Sequence, residues 1–430
     1  MNAAGTSETP KPLRIVVGVA GGIAAYKAAH VVRGFKEKGH EVHVVPTESA
    51  LKFVGAATFE ALSGNPVSTS VFEAVAQVQH VRKGQKADLI VVAPATADFM
   101  ARAAQGRADD LLTASLLVAT CPVVFAPAMH TEMWNHPATR DNVATLRRRG
   151  TIVLDPAHGR LTGKDTGPGR LPDPEQIVDL ALAAVAAPQH FQRDLEGTKV
   201  VITAGGTQEA IDPVRFVGNH SSGRQGFALA EMAAQRGAEV TVIAGATESL
   251  PTPLGARMVS VVSAQDMADA VAESVLDADL CIFAAAVADF RPASPAHSKM
   301  KKGSADDALR RIDLVENPDI LATTVQQRSR GELNADTLLV GFAAETGDEN
   351  STPLELARVK LARKGCDLLM CNDVSGGKTF GSAENLGWIL GADGSERAVA
   401  QASKLTVAGE ILSAAVALRQ QRVHLAHSPQ

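Results

Sequence analysis

Two short runs near the middle of the chain hold residue types that handle anions. Val200-Val-Ile-Thr-Ala-Gly-Gly-Thr207 is an apolar run that breaks at paired glycines. Asn219-His-Ser-Ser-Gly-Arg-Gln-Gly226 then leads into the helical pattern Phe227-Ala-Leu-Ala-Glu-Met-Ala-Ala234. Glycines let backbone N–H groups approach a ligand, and a helix N-terminus presents more of them. The expected chemistry is phosphate binding, although Gly205-Gly206 alone fits an ordinary turn equally well. Farther on, Asp289 and Arg291 follow an apolar run, which suits metal or phosphate handling or a salt bridge that caps a turn. Lys299-Met-Lys-Lys302 offers a positive cluster on a loop. Lys360 and Lys364, at i and i+4, share one helix face. In the first half His80 stands several residues before an apolar run that starts near Asp88. From there it can serve as a general base, though a lone histidine is more often structural.

Alternating apolar runs and helical patterns must position these groups. Residues 13–20 read as a buried strand, Gly21-Gly22 breaks it, and 23–35 follow with helical spacing before a second strand at 40–45. This βαβ unit predicts a parallel sheet with right-handed crossovers. A dinucleotide fold would need G-x-G-x-x-G and an acid closing the second strand. Here the glycines read Gly18-x-x-Gly21-Gly22 and the second strand ends in Pro46-Thr47, which argues against NAD. Tyr26 is followed four residues later by His30, so the Tyr-x-x-x-Lys of short-chain dehydrogenases is missing. Two further strands, 87–93 and 121–126, run into Pro94-Ala-Thr-Ala-Asp-Phe-Met100 and Pro127-Ala-Met-His-Thr-Glu-Met-Trp134, at the sheet edge where open α/β folds bind ligands. The second half repeats the plan with strands at 238–243 and 279–284, and a helix start at 316–320 puts Pro318 in the first turn.

Length and composition agree with two such domains. A chain of 430 residues exceeds one ordinary domain, and its net charge of −5 gives no footprint for nucleic acid. The four cysteines form no C-x-x-C pair and imply no disulfide framework, so a reducing cytoplasm is expected. No apolar run reaches membrane-spanning length. Residues 1–12 and 418–430 are polar and expected to be disordered, and 188–198 read as a linker.

Gly21-Gly-Ile-Ala-Ala-Tyr-Lys27, the His80 segment, Ala93-Pro-Ala-Thr-Ala-Asp98 and the Pro-x-Met-x-x-x-Met-Trp pattern at 127–134 resemble the FMN-dependent cysteine decarboxylases (HFCD family) over the whole of 13–187. More closely, they resemble the phosphopantothenoylcysteine decarboxylase half of the bifunctional coenzyme A biosynthesis proteins. The resemblance implies a flavodoxin-like domain in which Gly21, Gly22, Ile23, Thr47, Pro94, Ala95, Thr96 and Met129 cradle FMN, with His80 as base. An N-acyl cysteine has no electron sink, so hydride transfer to flavin precedes loss of CO₂ in the implied reaction. Two departures stand out: His130 replaces a common asparagine, and Thr162 replaces the family's proton-donor cysteine. A threonine hydroxyl is too weak an acid to substitute directly.

In 199–417, Ala204-Gly-Gly-Thr, Asp212-Pro-Val-Arg, Asn219-His-Ser-Ser-Gly, Ala286-Val-Ala-Asp, Lys299-x-Lys-Lys, Asn317-Pro-Asp-Ile and Gly341-Phe-Ala-Ala-Glu-Thr resemble, in order, the phosphopantothenate–cysteine ligase half of the same family. A Rossmann-like domain is implied, using CTP and Mg²⁺ to form an acyl-cytidylate that the cysteine amine attacks. Carried over motif by motif, Phe283, Ala284, Ala285, Asp289, Lys299, Pro318, Asp319, Ile320, Leu321, Phe342, Lys360 and Lys364 bind CTP. Asp289 is the candidate Mg²⁺ ligand, and Asn219 with Lys299 serves catalysis. The family also implies a homo-oligomer, a dodecamer built from trimers and dimers. The rival readings are a flavin-binding regulatory subunit and a protein in which only the ligase half is active.

Overall fold

The computed structural model describes residues 11–68, 84–160, 166–300, 311–347, 351–373 and 384–427. His80, Thr162, Lys301 and Lys302 lie outside them. The chain divides into two compact units, Met1–Pro188 and Gln189–Gln430.

The first unit is built on five strands: β1 (Arg14–Val19), β2 (Glu41–Pro46), β3 (Leu89–Ala95), β4 (Val123–Pro127) and β5 (Ile152–Val153). They pair in parallel in the order β2-β1-β3-β4-β5. That is the flavodoxin-like order, whose switch point falls between β1 and β3. Continuous apolar runs form these strands because helices cover both faces. All of β3 is buried, and each such Val, Leu or Ile contributes about 1.5–3 kcal/mol. A hairpin, β6 (Ala157–Arg160) with β7 (Thr166–Arg170), follows β5.

The second unit starts with β8 (Lys199–Ala204), the small antiparallel pair β9 (Gln208–Ala210) and β10 (Phe216–Gly218), then β11 (Glu239–Ala244) and β12 (Ala256–Ser260). After β13 (Leu280–Phe283) come a second small pair, β14 (Phe290–Pro292) and β15 (Leu314–Glu316), and β16 (Leu338–Glu345), β17 (Leu368–Asp373), β18 (Glu384–Gly391) and β19 (Glu396–Ser403). The main sheet runs β12-β11-β8-β13-β16-β17-β18-β19, parallel through β17 and antiparallel in its last two pairings. Its switch point lies between β8 and β13, so this is where a ligand crevice is expected.

Two expectations are corrected. The polar tail is not disordered from residue 418: helix Lys404–His427 continues through it. Charged side chains hold the extension, with Arg419 donating to Thr198 Oγ1 (2.9 Å) and Asp279 Oδ1 (3.0 Å) and Arg422 paired with the buried Asp367. Pro318 is not in a first helical turn, because the helix is Ile320–Ser329 and Asp319 is its N-cap, accepting from the Ala322 N–H at 3.0 Å. Among the described residues no helix is long and apolar enough to cross a membrane.

Candidate functional sites

In the second unit the loops after β8, β13 and β16 enclose a cavity of about 890 Å³. It is lined by Phe283–Phe290, Glu316–Leu321, 342–344, Lys360, Arg363 and Lys364, with the 219–226 stretch opposite. Every residue expected to bind CTP lies on this wall except Lys299, which is exposed and does not line it. Its neighbour Met300 is held by Asp212, whose Oδ2 accepts the Met300 N–H at 3.2 Å.

The paired glycines play a different part from the one expected. Gly206 N–H donates to Ala246 O (2.8 Å), Thr207 N–H to Ala286 O (3.3 Å), and Ala286 N–H to Gly205 O (2.8 Å). Gly205 has φ +76°, and a Cβ there would meet Ala246 O at 2.6 Å. This turn therefore ties β8 to its neighbours, and the Gly206 and Thr207 amides are engaged rather than aimed at a ligand. A helix start follows in the next stretch, where the Arg224 N–H donates weakly to Ser222 Oγ at 3.5 Å. Helix Arg224–Gln235 begins at Gly223 with no side-chain cap, and its first turn lines the cavity.

Asn219 is exposed on the cavity wall, where its Nδ2 donates to Val287 O at 3.0 Å. Lys360 and Lys364 do share a helix face, on Pro353–Lys364, and each meets a carboxylate: Lys360 Nζ lies 3.1 Å from Glu345, and Lys364 pairs with Asp319. Burial pushes the Asp319 carboxyl up, but the Lys364 ammonium, the Ala322 N–H and the Arg363 charge outweigh it and hold its pKa below the ordinary value. Arg291 donates to Glu316 O (2.8 Å) and Asn317 Oδ1 (3.0 Å), bracing the loop that carries Pro318. Asp289 is exposed on the same wall. Among the described residues no group of three or more His, Cys, Asp or Glu side chains gathers as a metal site.

In the first unit the predicted cradle converges on the β1/β3 switch point. Gly21 passes so close to Ser49 that a Cβ would fall 2.3 Å from its Oγ. Thr47 Oγ1 is 3.0 Å from Ser49 Oγ, and Thr47 N–H donates to Val19 O at 2.9 Å. A Cβ on Gly22 would touch Thr96 Cγ2 at 3.4 Å. Thr96 caps helix Ala97–Ala104 by accepting from the Phe99 N–H (3.3 Å). Ala128 N–H donates to Ala95 O (3.2 Å) and Met129 N–H to Gly169 O (2.9 Å), so the β6–β7 hairpin reaches the same edge. Gly21, Gly22, Thr47, 94–96 and Met129 are thus contiguous, and Ile23 is 68% exposed beside them. Burial and then Arg170 push the Lys27 ammonium below its ordinary range, with Asp173 acting the other way.

Family comparisons match both units. Residues 4–186 match the Flavoprotein family model, and residues 195–418 match the DNA/pantothenate metabolism flavoprotein C-terminal domain. The coenzyme A biosynthesis bifunctional protein CoaBC of Mycolicibacterium smegmatis is 59% identical over 404 residues, covering 94% of this chain and 97% of that one. The Mycobacterium tuberculosis protein of the same name is 58% identical (94% and 96% covered), and that of Vibrio vulnificus is 44% identical (93% and 96% covered). This chain belongs to the CoaBC family. It is a bifunctional enzyme of coenzyme A biosynthesis, a flavoprotein decarboxylase unit joined to a ligase unit.

For a CoaBC-family ligase unit, four polar lining residues had no signal in the sequence: Arg363, Asn372, Asn385 and Lys404. Asn372 and Asn385 close β17 and open β18, and Lys404 starts the last helix. Only the antiparallel return of β18 and β19 brings them beside residues some 160 to 180 positions earlier. Ser49 in the flavoprotein unit was missed for a similar reason, since nothing in its own segment announces contact with Gly21. Burial pushes the Cys366 thiol up to about 11, away from the range of a reactive thiolate.

Proposed function

We propose that the second unit activates the carboxylate of 4'-phosphopantothenate with CTP and joins it to cysteine, and that the first unit decarboxylates the resulting 4'-phosphopantothenoylcysteine to 4'-phosphopantetheine. The observation that carries the ligase reading is the single crevice at the β8/β13 switch point. It gathers Asn219, Asp289, 318–321, Phe342, and Lys360 with Lys364, from five separate stretches of chain.

In the first ligase step a substrate carboxylate oxygen bonds to the α-phosphorus and pyrophosphate leaves. In the second, the cysteine amine attacks the acyl carbon and CMP leaves. Both steps build negative charge on phosphate or acyl oxygens. Lys360, Lys364 and the uncapped first turn of helix Arg224–Gln235 supply cations and N–H donors for it. Asn219, steadied by Val287 O, holds the acyl oxygen between the steps. Mg²⁺ would sit mainly on the phosphates, with Asp289 as its protein carboxylate. Lys299 would join from its exposed loop when substrate is bound.

FMN binding at the β1/β3 edge of the first unit is supported by Gly21, which passes too close to Ser49 to carry a side chain and so keeps the turn bare beside the loop ends. FMN supplies the hydride acceptance and return that the decarboxylation needs. Thr96 would present a hydroxyl and Met129 an apolar wall, Thr47 braces the cradle through Val19 O and the Ala50 N–H, and His80 would be the base that takes the thiol proton. Large exposed apolar side chains at Ile23 (68%) and Tyr26 (56%) beside this edge support a site completed by a second copy, hence a homo-oligomer of trimers and dimers. Domain limits of 13–187 and 199–417 with a linker at 188–198 follow from the same assignment. Cytoplasmic location is supported by four free cysteines.

Asn219→Asp tests the ligase half. Acyl-cytidylate and pyrophosphate still form in that variant, and conversion to the cysteine amide falls at least a hundredfold. Conversion at the wild-type rate removes Asn219 from the mechanism.

A further inference from the structure

Lys404 opens helix Lys404–His427 and lines the ligase cavity next to Arg224, Gln225 and Gly226, the uncapped first turn of helix Arg224–Gln235. Hydrogen bonds fix that adjacency. Gln225 Nε2 donates to Lys404 O (3.2 Å), and Asn385 Nδ2 donates to Gln225 Oε1 (3.1 Å) and to Asn372 Oδ1 (2.9 Å). Asn385 is only 2% exposed, so this brace is a buried polar network that crosses β17, β18 and two helices.

Two other lysines that line the cavity already have carboxylate partners, Lys360 with Glu345 and Lys364 with Asp319. Lys404 has no carboxylate partner among the described residues, and its Nζ reaches only Glu384 O, at 3.5 Å. Its neighbour Arg224 is already paired with Glu248 at 2.8 Å. Burial, and then the Arg224 charge, push the Lys404 ammonium below the ordinary lysine range, with Glu248 acting the other way. A half-buried cation beside a guanidinium is relieved when an anion arrives.

We propose that Lys404 binds the two outer phosphates of the nucleotide, the pair that leaves as pyrophosphate, and that Gln225, Asn385 and Asn372 position it for that contact. The proposal rests on reading the crevice as the CTP site. The reacting α-phosphorus has to lie by Asn219, where the acyl group forms. The charge left for the helix N-terminus and Lys404 is therefore that of the outer phosphates. As the bond from the α-phosphorus to the bridging oxygen breaks, that oxygen takes the electron pair, and a nearby ammonium stabilises the pyrophosphate that departs.

The test uses the full-length protein with Mg²⁺. Lys404→Met weakens binding of CTP and of inorganic pyrophosphate at least tenfold and leaves CMP affinity unchanged, and Lys404→Arg restores most of the loss. Unchanged CTP affinity, or equal losses for CTP and CMP, overturns the assignment. A second measurement needs no variant. Amine labelling of Lys404, read by mass spectrometry, is suppressed by CTP and pyrophosphate but not by CMP. Labelling indifferent to pyrophosphate contradicts the proposal even if Lys404→Met fails to fold. Wild-type protein that binds neither CTP nor CMP defeats the nucleotide reading itself, whereas tight CTP binding with an indifferent Lys404 defeats only this inference.

Discussion

Asp319 accepts the Ala322 N–H as the N-cap of helix Ile320–Ser329, and its second oxygen meets Lys364 on the cavity wall. Replacing it with alanine should cost about 1 kcal/mol for the lost cap, and well under 1 kcal/mol more for the half-exposed ion pair. Chemical denaturation reads that difference as a lower midpoint with an unchanged slope. The folded-state pKa of Asp319 is depressed, so its contribution is complete above the unfolded carboxylate value of about 3.9 and is lost as pH falls through the lower folded value. The stability gap between wild type and Asp319→Ala should therefore persist at neutral pH and close only in acid. A gap that closes near neutrality would mean another group is responsible. In the other unit the corresponding residue-scale test is His80→Asn. It should abolish CO₂ release while CTP-dependent ligation continues at the wild-type rate, and loss of both activities would refute the assignment of two separate sites.

At the scale of elements, the sequence announced most strands and their ligand-bearing ends. Buried parallel strands such as β1 and β3 are uninterrupted apolar runs, and Pro94-Ala-Thr96 marks an abrupt stop. What stayed illegible depends on long-range pairing. Gly205-Gly206 has the composition of a phosphate turn, but its amides are taken by Ala246 and by the strand-end bridge to Ala286. The helix start proposed to meet the phosphates lies farther on, behind Ser221-Ser222-Gly223. The last helix misled for a different reason: its polar residues beyond 417 read as solvated, although Arg419 and Arg422 reach Asp279 and Asp367. Deleting everything after Ala417 should thus destabilise the ligase unit by about 2–4 kcal/mol, since it leaves partly or fully buried carboxylates short of a partner. Calorimetry of the full chain should show the ligase transition moving down and FMN release unaffected. An unmoved transition would restore the reading of a disordered tail.

For the whole molecule, two open sheets each place a site at a topological switch point, β1/β3 in one unit and β8/β13 in the other. The product of the second unit's proposed reaction is the substrate of the first's, so the order of chemistry runs against the order of the chain. Composition and patterning made the two-domain α/β plan legible, because buried parallel strands and short βα turns leave local signatures. Neither the presence of Asn385 of β18 and Lys404 of the last helix in the crevice lining nor the part proposed for Lys404 leaves such a signature. The most direct measurement supplies purified full-length protein, carrying FMN, with 4'-phosphopantothenate, CTP, Mg²⁺ and carboxyl-labelled cysteine, and follows all products together. Pyrophosphate, labelled CO₂ and 4'-phosphopantetheine should appear in equal amounts, with CO₂ release dependent on CTP. Release of CO₂ without CTP, or pyrophosphate and amide formation with no CO₂, would contradict the two-site account.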